Sequence, residues 1–255
     1  METLVEICCG SYHDALMVQS GKADRIELNS ALFMGGLTPS IGTLKLVKRD
    51  VSLPVICMVR PRGAGFCYND AEIECIFEDA KALLEAGSDG LAFGFLKADA
   101  TIDLNLTKRM IALIKSYGTE REAVFHRAFD CVKDAKQAMS QLIECGIDRV
   151  LTSGLAPTAI AGKELIHELQ SDYGDQIEIL AGSGIKAHNA VEFIKTSGVS
   201  QVHSSAKAWV DDPTTDNGMV SYAYHHELDY DVVSETAVKE LVNIIREAED
   251  HACID

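Results

Sequence analysis

Eight places in the chain combine residue types that could do chemistry. Glu6 and Cys8 stand in Leu4-Val-Glu-Ile-Cys8, and Glu27 and Asn29 follow Arg25-Ile26. Arg60 and Arg62 flank Pro61; His126, Arg127 and Asp130 fall in His126-Arg-Ala-Phe-Asp130; Gly94 closes an apolar run. Three turns of small residues complete the set: Thr152-Ser153-Gly154, Gly182-Ser183-Gly184 and His203-Ser204-Ser205. A histidine of near-neutral pKa opposite a glutamate can move protons at a carbonyl carbon, which makes Glu6, Glu27, His126 and His203 candidate acid–base groups. Turns of Gly and Ser expose backbone N–H groups and hydroxyls suited to a phosphate or carboxylate, and Arg60 and Arg62 add bidentate contacts to the same anion. With Arg127 and Asp130, these turns form the expected ligand-binding set. A structural alternative stands beside each reading: Glu6 and Glu27 pair with arginines to hold a loop together, and the Gly and Ser residues serve tight turns and helix caps. No Ser-His-Asp order or nucleophile elbow is present, so acyl transfer is not expected.

Each group follows a short apolar run that must position it. Strands are expected at Thr3–Cys8, Arg25–Leu28, Pro54–Val59, Gly90–Gly94, Ala123–Arg127, Asp148–Thr152, Ile177–Gly182 and Ser200–Ser204. Most are rich in Val, Ile and Leu, as strands buried on both faces are. Side chains alternate along a strand, so Val5, Ile7, Ile26 and Leu28 face helices while Glu6, Cys8, Glu27 and Asn29 face the opposite way, with Arg60, His126 and His203 in the same phase. Amphipathic stretches lie between the strands. Asp70–Ala86 carries an apolar stripe behind an Asn69/Glu72 capping pair, Thr38 is the expected N-cap before Pro39, and Ser234–Glu249 forms the last helix. Four helix-to-strand junctions begin with glycine, at Gly21, Gly87, Gly146 and Gly198.

Eight such units of about 32 residues predict a closed (β/α)8 TIM barrel spanning residues 1–255 as one domain. The doubly wound rival is represented by Gly182-Ser-Gly184-Ile-Lys-Ala187, which fits a dinucleotide fingerprint. That stretch lies in the seventh unit with no acid after the following strand, so no nucleotide cofactor is expected.

The 255 residues hold 23 basic and 39 acidic side chains, a formal charge of −16. Hydrophobic residues make up 47%, enough for a globular core, and the negative charge argues against nucleic-acid or anionic-membrane partners. No apolar run approaches the roughly 18 residues of a membrane span, and no basic-then-apolar leader opens the chain. Eight cysteines without Cys-x-x-Cys or zinc spacing fit a reducing, cytoplasmic location. Residues 211–255 hold twelve acids against Lys239 and Arg246, so an acidic, solvated loop is expected over 211–233, before the last helix. Its acids lack ligand-like spacing; Tyr222, Tyr224, His225 and His226 within it are read as a surface loop, or as a lid or subunit contact.

Longer motifs carry a resemblance. Leu4-Val-Glu6-Ile-Cys8, Ala23-Asp-Arg-Ile-Glu27-Leu, Gly35-Gly-Leu-Thr-Pro-Ser40, Arg60-Pro-Arg62-Gly, Phe66-Cys-Tyr68, His126-Arg-Ala-Phe-Asp130, Leu151-Thr-Ser-Gly154 and His203-Ser-Ser-Ala206 resemble, in order, the motifs of the CutC family. The resemblance covers about residues 3 to 209. It implies a cytoplasmic barrel, a homo-oligomer of two or more copies, and a role in copper homeostasis with copper as the bound metal. Copper(I) prefers soft sulfur ligands. Cys8 is the candidate ligand, since Cys9 beside it on the strand faces the other way. The resemblance also marks two departures: relatives often have Cys in place of Asn29, and Gly-Asp in place of Ala64-Gly65. Two functions are therefore expected, a copper(I)-binding homeostasis protein or a lyase- or isomerase-type enzyme acting on a small phosphorylated or carboxylated metabolite.

Overall fold

The computed structural model describes residues 2–226 and 229–252; Cys253 lies outside the described residues. Eight parallel strands, β1 (Leu4–Cys9), β2 (Arg25–Leu28), β3 (Val55–Met58), β4 (Gly90–Phe93), β5 (Glu122–Phe125), β6 (Arg149–Thr152), β7 (Glu178–Gly182) and β8 (Gln201–Ser204), close into a barrel in sequence order. The ring is sealed where β1 pairs with β8, with Leu4 opposite Gln201 and Glu6 opposite His203. Helices α1 (Tyr12–Ser20), α2 (Ile41–Asp50), α3 (Asp70–Glu85), α4 (Leu104–Ser116), α5 (Ala135–Cys145), α6 (Lys163–Tyr173) and α7 (Ala187–Ser197) separate the strands, and α8 (Glu235–Ala252) follows the last. The expected TIM barrel is the fold observed. Among the described residues, no helix is long and apolar enough to cross a membrane.

The alternation of side chains divides the interior in two. Outward residues such as Val5, Ile7, Ile26, Leu28, Phe93 and Phe125 are buried in the shell between strands and helices. Inside the ring, Ile56, Met58, Ala92 and Val124 form a separate apolar cluster on the β3–β5 side. The other side is polar. Gln201 Oε1 accepts from Arg25 Nη2 at 2.8 Å and from Arg149 Nε at 2.9 Å, and Arg149 reaches Glu122 (2.6 Å) and Glu178 (2.7 Å). A wholly buried arginine needs such partners, because desolvating an unpaired guanidinium would destabilise the fold by several kcal/mol.

Local signals explain most element ends. The Asn69/Glu72 capping box is formed in both directions at the start of α3. Gly146 and Gly198 end α5 and α7 in the left-handed conformation. Gly21 differs: its φ is −77°, and its need is space, since an added Cβ would lie 2.4 Å from Val238 Cγ1. Thr38 is not the cap of α2. Its N–H and hydroxyl join Arg60 O, and the N-cap passes to Ser40, whose hydroxyl accepts from Thr43 N. The residue before a proline favours extended backbone, which suits Thr38 to this bridging role.

The segment expected as an acidic loop holds more structure than its charge suggested. β9 (Lys207–Asp211) pairs antiparallel with β10 (Asp229–Val233), and Val233 N donates to Asp14 Oδ1 at 2.9 Å, fastening the hairpin to α1. Trp209, Val210, Tyr230, Val232 and Val233 supply strand propensity that the count of acids obscured.

Candidate functional site

The mouth of the barrel opens on a cavity of about 300 Å³ whose walls include Cys8, Glu27, Asn29, Met58, Arg60, His126 and His203. Its floor is ionic. Glu6, buried beneath the cavity, binds Arg25 Nε through Oε2 at 2.5 Å and His203 Nδ1 through Oε1 at 2.7 Å. Burial alone would raise the Glu6 pKa, but the charges of Arg25, His203 and Arg149 and the hydrogen bond from His203 hold it well below the usual carboxylate range. Burial likewise opposes a charge on His203. The neighbouring Cys8, Glu6 and Glu27 side chains outweigh it, and the His203 pKa stands well above its usual value. The floor thus holds a Glu6 carboxylate and a His203 imidazolium at neutral pH.

Glu27 is in a different state. Burial and the Glu6 charge raise its pKa against the pull of His203, Asn29 and Arg25, so it exchanges protons more readily near neutral pH than an ordinary glutamate. Asn29 Nδ2 donates to Glu27 Oε2 at 2.9 Å and to its backbone carbonyl at 3.1 Å, which fixes the carboxyl group. One ligand atom each from Glu6, Glu27 and His203 lies within 4.8 Å of the others.

The facing wall carries His126. Its Nδ1 accepts the Ala128 N–H at 3.1 Å, so in the neutral ring Nε2 bears the proton. That Nε2 is buried and has no hydrogen-bond partner among the described residues. Burial and the Arg60 charge lower the His126 pKa to about 3, which keeps the ring neutral at physiological pH. Phe66 lies between the two, 5.0 Å from the His126 ring centroid and 5.1 Å beneath the Arg60 guanidinium.

The arginines are committed to backbone. Arg60 donates from Nη1 to Met34 O and Gly36 O, both at 3.1 Å, and from Nη2 to Ala64 O at 2.6 Å. It therefore clamps the loops after β2 and β3 and presents its side to the cavity. Arg62 is bound to Glu72 at 2.5 Å and to the carbonyls of Gly63, Gly65 and Cys67, and does not line the cavity.

The three small-residue turns divide. The turn after β6 closes on the protein's own anion: Asp130 Oδ1 accepts from Thr152 Oγ1 (2.6 Å) and Ser153 N (2.9 Å), and Oδ2 from Ser153 Oγ (2.9 Å) and Arg127 Nε (2.7 Å). Thr152, Ser153, Gly154 and Asp130 are thus joined to one another outside the cavity wall. From the other two turns, Ser183, Gly184, Ser204 and Ser205 line the cavity, as Arg127 does, while Gly182 lies in the strand below them. Lys186, Lys207 and Met58 also line it. Sequence reading had not singled them out as site residues, although Met58 shares the strand phase of Arg60 and Lys207 stands two residues past the His203-Ser-Ser turn. Arg25 was missed for the same reason as Arg149: a charged residue at the start of a strand is ordinarily taken as exposed.

Comparison with known proteins fits this architecture. Residues 3–208 match the CutC family. A CutC family protein from Treponema denticola is 51% identical over 211 residues, which are 83% of this chain and 84% of that protein. A crystal structure assigned as the copper homeostasis protein CutC from Streptococcus agalactiae superimposes with a TM-score of 0.74 at 30% identity, covering 80% of this chain and 98% of that one. Thiamine phosphate pyrophosphorylase from Pyrococcus furiosus shares the fold alone, with a TM-score of 0.58 at 16% identity over 96% of each chain. The barrel, its ordered motifs and the extent of these matches establish that the chain belongs to the CutC family.

Proposed function

We propose that the chain acts in copper homeostasis and that copper(I) is the cargo taken up at the mouth of the barrel. The observation that carries this reading is the side chain of Cys8, which lines the cavity together with His203 and donates its S–H to Ser204 O at 3.7 Å. Of the described cysteines, only Cys8 lines this cavity; Cys9 and Cys57 are buried in the outer shell, and the others lie nearer the surface. The donor set fits a soft cation: a thiolate from Cys8, an imidazole from His203 and the Met58 thioether in the same cavity. Binding would require Cys8 to lose its proton and His203 to become neutral, so uptake releases protons and weakens as pH falls. Titration with copper(I) against a chromophoric chelator tests the reading. Wild type is expected to compete at one equivalent, with at least a tenfold loss in both Cys8→Ser and His203→Gln. Equal competition by wild type and Cys8→Ser would end it.

A second reading is favoured by His126. A buried N–H with no partner among the described residues, on a side chain of the cavity wall, suits an oxygen atom of a small carboxylated or phosphorylated metabolite. Glu27, with its raised pKa, is placed in the same cavity to take or give a proton. Thermal-shift measurements with two- to four-carbon phosphorylated and carboxylated acids test it: stabilisation of wild type and not of His126→Phe supports the enzyme, and equal behaviour of the two removes it. Cytoplasmic location and homo-oligomeric assembly belong to the same proposal, to be tested by cell fractionation and sedimentation velocity.

A further inference from the structure

The β9–β10 hairpin lies almost entirely beyond the family match and holds a second group of ligating side chains. One ligand atom each from His225, His226 and Asp229 lies within 4.8 Å of the others. Asp229 opens β10 and is buried; its Oδ1 accepts the His226 N–H at 2.8 Å, and its Oδ2 faces His225 Nδ1 at 3.2 Å. Burial opposes ionisation of Asp229, yet the His226 N–H and the neighbouring imidazoles hold its pKa below the usual value.

The two imidazoles are held at the hairpin by different means. His225 lies flat on Trp209, with ring centroids 3.6 Å apart and planes 6° from parallel, and His226 meets His225 edge-on at 4.0 Å. Lys207, whose Nζ lies 5.1 Å from the Trp209 ring centroid, is already neutralised by Asp231 at 2.7 Å. Two imidazoles and one carboxylate form a nitrogen-rich, thiol-free donor set that suits a borderline divalent ion better than copper(I). Donors of a tetrahedral ion such as zinc(II), with bonds of about 2.0–2.1 Å, sit roughly 3.4 Å apart, and those of a tetragonal ion such as copper(II) sit closer still, so the three groups must draw together by about 1–2 Å to share one ion.

We propose that His225, His226 and Asp229 form a binding site for a divalent first-row transition ion, with copper(II) bound most tightly in line with the general affinity order. The site is separate from the barrel cavity and shares no ligand with Cys8, His203 or Met58. In the absence of metal, the His225–Asp229 contact occupies the position that the ion would bridge.

Trp209 is the only tryptophan in the chain and touches a proposed ligand, so it reports binding directly. The full-length protein is titrated with copper(II) in a glycine-buffered solution while Trp209 fluorescence is followed, and with zinc(II) by calorimetry. Saturable quenching at one equivalent is expected, competed by zinc(II). It should be retained in Cys8→Ser and weakened at least tenfold in the His225→Ala/His226→Ala double variant. Both histidines are exposed, and circular dichroism of the double variant establishes that the barrel is intact. Quenching that fails to saturate, or that is equal in wild type and the double variant, overturns the site. Quenching lost in Cys8→Ser would transfer the binding to the cavity and overturn it equally.

Discussion

His203 Nδ1 and Glu6 Oε1 meet at 2.7 Å across the seam where β8 closes onto β1, and the same carboxylate binds Arg25 through its other oxygen. The contact therefore ties the last barrel strand to the first while forming the floor of the cavity. Its charges were separated by 197 residues in sequence, and only ring closure brings them together.

The pH dependence of this pair has a definite sign. Glu6 has a lowered pKa, so its contribution is complete above the ordinary carboxylate value of 4.5 and declines as pH falls below it. His203 has a raised pKa, so its contribution is complete below 6.5 and declines as pH rises toward its folded-state value. The stabilisation by the pair is greatest between those two values. Thermal denaturation of Glu6→Gln should show a deficit of about 3–5 kcal/mol there, as expected when one member of a buried pair is removed. The deficit should shrink on the acid side; a deficit independent of pH would contradict the assignment.

Gly94 makes room for His126. A Cβ added there would lie 2.7 Å from both Nδ1 and Cε1 of the imidazole and 2.7 Å from Ala128 Cβ. Gly94→Ala should therefore displace the ring, break its bond from Ala128 N and destabilise the protein by about 1–3 kcal/mol. Urea unfolding measures the loss, and the His126 proton signals should shift on NMR. A variant as stable as wild type, with unmoved resonances, would show that the ring has space to spare.

Arg60 holds three carbonyls on two loops, at Met34, Gly36 and Ala64. Arg60→Lys preserves the charge but cannot reproduce a planar fork, so hydrogen exchange should quicken across residues 31–37 and 62–68 with little change elsewhere. Unaltered exchange in both loops would mean that they are held by other contacts.

Asn29 lines the same cavity as Cys8, and its Oδ1 is buried with no partner among the described residues. Asn29→Cys places a second thiol in that cavity. Copper(I) affinity should rise at least tenfold over wild type in the chelator competition, since two sulfurs suit this ion better than one. An unchanged affinity would mean that the two side chains cannot converge on one ion.

The fold was legible because its signals are local. Apolar runs with a period of two, helices capped at Asn69 and ended by Gly146 or Gly198, and their repetition eight times leave little besides a (β/α)8 ring. Strand phase also placed Cys8, Glu27, His126 and His203 correctly in the cavity wall, because alternation is a property of the strand itself. The motifs for the anion turns were visible, but their occupancy was not. Whether Thr152-Ser153-Gly154 receives a ligand or Asp130 depends on how the loop after β5 folds back, and nothing in either segment states that.

The sequence by itself determined the order of strands and helices, the face each strand residue takes, and the family. Tertiary structure decided the partners: that Arg60 clamps backbone, that Arg25 and Arg149 share Gln201 inside the ring, and that His225 and Asp229 meet beside Trp209. The physical reason is distance along the chain. Periodicity and caps act within a few residues, whereas an ion pair or a shared hydrogen bond is fixed by which remote segments the closed barrel makes neighbours.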